Sequence, residues 1–121
     1  MNEKPNVIKD KSFAFAVQIV NICKYLIENR KEFVISKQLL RSGTSIGANV
    51  REGINAESKA DFIHKLSIAQ KEADETLYWL ELLKATNFIG EEEFKTLSID
   101  CQELLKILKS IILTTKQRNP K

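Results

Sequence analysis

Breakers are scarce in this chain. Its 121 residues include four glycines and two prolines, and the prolines, Pro5 and Pro120, both sit near the ends. With Leu, Ile, Lys and Glu abundant, that scarcity predicts an all-helical protein. Cysteine is limited to Cys23 and Cys101, far apart and each within an apolar helical stripe. Two such cysteines do not make a disulfide framework, and they read as reduced core thiols. The single histidine, His64, leaves too few donors for a metal site. No apolar run approaches the ~20 residues that span a bilayer. Met1 to Pro5 lacks the apolar segment of a secretory signal, so the expected compartment is the cytoplasm. No membrane partner and no cofactor are expected.

Enough apolar and charged residues are present for a folded chain: 43% hydrophobic with 29% charged excludes disorder. The length fits one domain, residues 1–121, with a core that needs no staples. The formal charge of +3 permits nucleic-acid binding without requiring it.

Hydrophobic periodicity predicts helices over about 10–31, 36–54, 58–85 and 91–118. Short connections make consecutive helices antiparallel neighbours, giving an up-down-up-down four-helix bundle. The Met1–Lys9 arm and the tail Asn119-Pro120-Lys121 are polar extensions. Asp10, Ser36 and Ser58 are the expected N-caps, and Asn87 and Gly90 mark the last turn.

The first helix carries two apolar stripes. Phe13, Ala16, Val20, Cys23 and Ile27 form one, and Phe15, Ile19, Ile22 and Leu26 form the other. A bundle seam needs fewer positions. The second set is therefore expected at a contact between subunits. The second helix aligns Leu39, Gly43, Ile46, Val50 and Gly53 on one face, with small side chains around Gly43 and Gly47. A glycine inside a helix costs ~1 kcal/mol relative to alanine. Close approach of another helix would offset that cost, and Ala69 and Ala73 of the third helix are the expected partners. Asn49 lies among apolar neighbours; it either satisfies its amide against a neighbouring helix or contacts a ligand.

Chemistry is harder to find. His64 has only Asp61 and Ser67 near it in sequence, so no catalytic arrangement is visible and an enzyme is not expected. Gly43 to Gly47 lacks the Gly-Lys-Ser/Thr ending of a phosphate loop and follows no strand. Tyr78 and Trp79 suit a half-buried subunit contact, with base stacking as the alternative. Candidate phosphate contacts are Lys37, Arg41, Arg51, Lys59, Lys65, Lys106 and Lys109, a modest set on one copy that a ring would multiply into a band.

Gln38 to Gly53 and Lys71 to Leu83 resemble the two motifs of the bacterial four-helix-bundle family named for reading frames within 23S ribosomal RNA intervening sequences. The resemblance implies a homopentameric ring. It also implies kinship with the accessory variability determinant of diversity-generating retroelements, which binds nucleic acid and a reverse transcriptase. It carries over no catalytic residue. Two functions follow as expectations. One is a non-catalytic oligomer that binds RNA or DNA through basic faces. The other is a protein-interaction scaffold or accessory subunit, for example for a reverse transcriptase, without direct nucleic-acid contact.

Overall fold

The computed structural model describes residues 4–118, with side chains from Asn6 onward. The first residues of the expected N-terminal arm and the tail from Asn119 lie outside the described residues. Four helices fill the rest: α1 (Lys4–Arg30), α2 (Ile35–Ile54), α3 (Lys59–Ala85) and α4 (Glu91–Arg118). Each packs on its neighbour in sequence, and α1 closes the ring against α4. Pairs across each seam run in opposite order. Cys23 meets Ser36 and Ser12 faces Gly47; Ser42 meets Thr76 and Glu52 meets Lys65; Lys84 meets Glu91 and Ala73 meets Cys101; Lys11 meets Glu103 and Gln18 meets Asp100. Every neighbouring pair is thus antiparallel, the expected up-down-up-down bundle.

The helix boundaries differ from expectation at two starts. Helix α1 begins at Lys4 rather than Asp10. Pro5 falls in its first turn, where a missing N–H costs no helical bond, so nothing stops the helix from starting early. Helix α2 is capped by Glu32 rather than Ser36. The Glu32 carboxylate accepts from the N–H groups of Val34, Ile35 and Ser36 at 3.1, 2.9 and 2.7 Å, while Ser36 Oγ donates to the Glu32 carbonyl at 2.7 Å. Burial alone would raise the Glu32 pKa; the N–H bonds outweigh it and hold the carboxyl below its usual range. Ser58 does cap α3, accepting from Asp61 N at 3.0 Å. At the far end Asn87 takes φ 67°, and Phe88 N and Asn87 N return to the carbonyls of Leu83 and Lys84. Glu93 reaches back to Gly90 N to open α4.

The core corrects the reading of α1. Ile8, Phe15, Ile19, Cys23 and Leu26 face inward and are essentially inaccessible. Phe15, Ile19 and Leu26 therefore belong to the protomer's own core and are not surface residues between subunits. Ile22 is partly buried against the core. The outward side takes Phe13, Val20 and Ile27 from the other expected stripe, exposed by 57%, 38% and 37%, and adds Val17 at 45%, while Cys23 of that stripe turns into the core.

The glycine face is corrected in part: Gly53 does meet α3, where a Cβ would lie 2.6 Å from Leu66 Cδ1, but the other two glycines do not. A Cβ at Gly43 would sit 2.8 and 2.9 Å from Ile19 Cγ1 and Cγ2, and one at Gly47 would meet Ser12 at 3.3 Å. Both glycines admit α1, not α3. Ala69 and Ala73 are buried on α3, and the Ala73 carbonyl accepts the Cys101 thiol at 3.3 Å. On the α3 side, α2 uses Ser42, whose Oγ lies 3.0 Å from Thr76 Oγ1. Asn49 is satisfied within its own helix, donating from Nδ2 to the Ser45 carbonyl at 2.9 Å.

Candidate nucleic-acid interface

Alternating helix direction sorts the charges. One end of the bundle holds the start of α1, the α2–α3 turn and the finish of α4; this is the proximal end. Lys9, Lys11, Arg51, Lys59, Lys65, Lys106, Lys109, Lys116 and Arg118 lie in that half, against Asp10, Glu52, Glu57 and Asp61. The distal half holds both other turns. There Glu28, Glu32, Glu72, Asp74, Glu75, Glu81, Glu91, Glu92, Glu93, Asp100 and Glu103 stand against Lys24, Arg30, Lys31, Lys37, Arg41, Lys71, Lys84 and Lys95. A chain of modest net charge is thus bipolar: positive at the proximal end, negative at the distal one.

The seven candidate basic residues divide along that line. Arg51, Lys59, Lys65, Lys106 and Lys109 share the proximal half, while Lys37 and Arg41 sit on the first turns of α2 in the distal half. Lys9, Lys11, Lys116 and Arg118 join the proximal group and were missed from sequence. Their signal is positional: in an antiparallel bundle the starts of odd helices and the finishes of even ones share an end, so charge sums over half-helices instead of whole ones.

Local contacts hold several of these groups. Lys65 Nζ lies 2.9 Å from Glu52 Oε1, and that bond raises the lysine's pKa. Lys11 pairs with Glu103 at 3.3 Å. The Arg51 guanidinium lies over the Phe13 ring, 5.5 Å from its centroid, which ties the side chain to α1. Arg51 and Lys65 line an open hollow at the α2–α3 turn together with Glu52, Glu57 and Asp61, so the hollow itself is not basic and the positive charge lies around it.

The other candidates fall elsewhere. Tyr78 is exposed by 56% and packs edge-on to Trp79, with ring centres 4.9 Å apart. Trp79 rests partly on the core, and its indole N–H is buried with no hydrogen-bond partner. Glu72 Oε1 is buried and unpaired as well; burial first, and the neighbouring Glu75 charge second, raise that carboxyl's pKa. Cys23 and Cys101 are free and buried, their thiols pushed up to about 12 chiefly by burial. Among the described residues no group of three or more His, Cys, Asp and Glu could hold a metal ion, and no helix is long and apolar enough to cross a membrane.

Fold and surface together define a small antiparallel four-helix-bundle protein with a polarised charge distribution and an uncovered apolar stripe on α1. Over residues 4–110 the chain matches the model of the 23S rRNA-intervening sequence protein family, and it belongs to that family. It is similar to a solved protein of unknown function from the S23 ribosomal protein family of Bacteroides thetaiotaomicron VPI-5482. The two share 59% identity over 92% of this chain and 99% of the other, with a TM-score of 0.91. No curated protein matches the chain.

Proposed function

We propose that this chain is a non-catalytic, homo-oligomeric cytoplasmic bundle, a pentameric ring, that binds RNA or DNA through its proximal basic end. The observation that carries the reading is the charge segregation: Arg51, Lys59, Lys106 and Lys109 converge on one end although they come from three helices. In a ring with aligned protomers, each copy adds its basic end to one rim, and phosphate contacts multiply without any single strong site. The ring size follows the family resemblance. Fluorescence anisotropy with a structured RNA and a DNA duplex across a salt series tests it. Binding should weaken steeply with salt. Arg51→Glu with Lys106→Glu should abolish it, and Lys37→Glu with Arg41→Glu should weaken it much less. No binding at low salt, or binding indifferent to the proximal variants, overturns the reading.

A second reading has its own observation. The exposed Phe13–Val17–Val20–Ile27 stripe would suit a protein partner, making the chain a scaffold or accessory subunit, for example for a reverse transcriptase. A pull-down that survives loss of the proximal charges and fails with Ile27→Asp, with sedimentation unchanged, would favour it.

A further inference from the structure

We infer that copies of this chain dock head to tail, the outer α1–α2 face of one against the α1–α4 groove of the next. The inference rests on the proposed self-assembly and adds which surfaces meet.

The first surface is an apolar strip. Val17 and Val20 of α1 are exposed, and on α2 Leu40, Thr44 and Ala48 recur at steps of four. The glycine contact draws the two helices together. Phe13, Thr44 and Ala48 line one shallow cleft between them. Beside the strip stand exposed Lys24, Lys37 and Arg41, so its distal half is basic.

The second surface lies on the other side of α1. Ile22 and Leu97 line a groove of about 460 Å³ between α1 and α4, and Glu92 and Glu93 stand at its edge. Ile99, 53% exposed, extends the apolar area along α4. This surface is in the same distal half as Lys24, Lys37 and Arg41, so protomers standing side by side in parallel bring basic rim to acidic rim.

Complementarity also decides against the simplest alternative. Two copies meeting through the same α1–α2 face would oppose lysines and arginines across a two-fold axis, a like-charge contact. Pairing unlike faces removes that repulsion. It leaves the pair one unused surface of each kind, so further copies can add until the rotation closes a ring. Because the two surfaces flank α1 on opposite sides, one protomer can use both at once.

Sedimentation with paired variants tests the assignment. One variant carries Val17→Asp and Val20→Asp; the other carries Glu92→Lys and Ile99→Asp, leaving Glu93 to cap α4. Wild type should sediment as an oligomer and each variant as a monomer. An equimolar mixture should form a heterodimer, because one intact surface of each kind remains, and its formation shows that both variants are folded. A monomeric wild type overturns the self-assembly reading itself. An oligomeric wild type whose variants still assemble, dimerise alone, or stay monomeric when mixed despite unchanged circular dichroism overturns the face assignment and leaves self-assembly standing.

Discussion

Replacing Gly43 with alanine isolates the contact around which α1 and α2 are packed. The added Cβ would lie 2.8, 2.9 and 3.2 Å from Ile19 Cγ1, Cγ2 and Cδ1. Ile19 is fully buried and β-branched, so those atoms sit close to the α1 backbone and cannot swing away. Overpacking of this kind costs about 1–3 kcal/mol. Alanine returns about 1 kcal/mol of helix propensity, so Gly43→Ala should destabilise by roughly 1 kcal/mol, rising toward 2. Gly47→Ala is the internal control. Its Cβ would meet Ser12 no closer than 3.3 Å, and the propensity gain should make it neutral or stabilising by a few tenths of a kcal/mol. Urea denaturation at one fixed protein concentration reads both, because self-association would otherwise shift the midpoint. The cycle with Ile19→Ala sharpens the test: once Ile19 is truncated, Gly43→Ala should fill space, giving a favourable coupling of about 1 kcal/mol or more. Equal effects at Gly43 and Gly47, or strict additivity with Ile19→Ala, would refute the close-packing account.

Two carboxylates should respond with opposite signs. Glu32→Gln weakens charge-assisted bonds to three N–H groups and should cost about 1–2 kcal/mol at pH 7. The Glu32 pKa is depressed in the fold, so its stabilisation is present above the unfolded value near 4.5 and lost as pH falls through the folded one; thermal melts should show the mutant gap closing on acidification. Glu72→Gln should instead stabilise slightly at pH 7, since one carboxylate oxygen is buried without a partner and the Glu75 charge stands beside it, which together outweigh the attraction of Arg41 and Lys71. Because that pKa is raised, the gain should vanish in acid, where Glu72 is already protonated; a gain persisting there would contradict the cause given. Cys23 and Cys101, buried with thiols near 12, should resist Ellman's reagent in the native protein and react only as fast as it unfolds.

Helix count, order and most boundaries were legible because the 3.6-residue period is a local property. The Ser58 cap and the Asn87 turn were legible for the same reason. Which stripe of α1 faces inward was not read correctly, although a cue was present. Lys24 continues the Phe13–Val17–Val20–Ile27 stripe at heptad spacing, whereas Ile8, Ser12, Phe15, Ile19, Cys23 and Leu26 run without a charge. Aromatic and branched residues on both stripes concealed it, and total apolarity says nothing about direction. The partner of Gly43 was not legible, because helix pairing across a bundle depends on three-dimensional closure. Glu32 escaped notice because a carboxylate in a connection reads as solvated, and its role as a cap depends on the chain turning back over it. Arg51, Lys59, Lys106 and Lys109 were each visible in sequence. Their convergence appeared only when antiparallel packing brought α2, α3 and α4 to one end.

The salt dependence of RNA binding, measured on wild type and on Arg51→Glu/Lys106→Glu, tests the central proposal most directly. Each phosphate contact contributes about −0.7 to −0.9 to the slope of log affinity against log salt. The account predicts a steep wild-type slope and weak or undetectable binding by the variant at the lowest salt, with sedimentation unchanged. A salt-insensitive affinity, or a variant that binds as tightly and with the same slope as wild type, would contradict it.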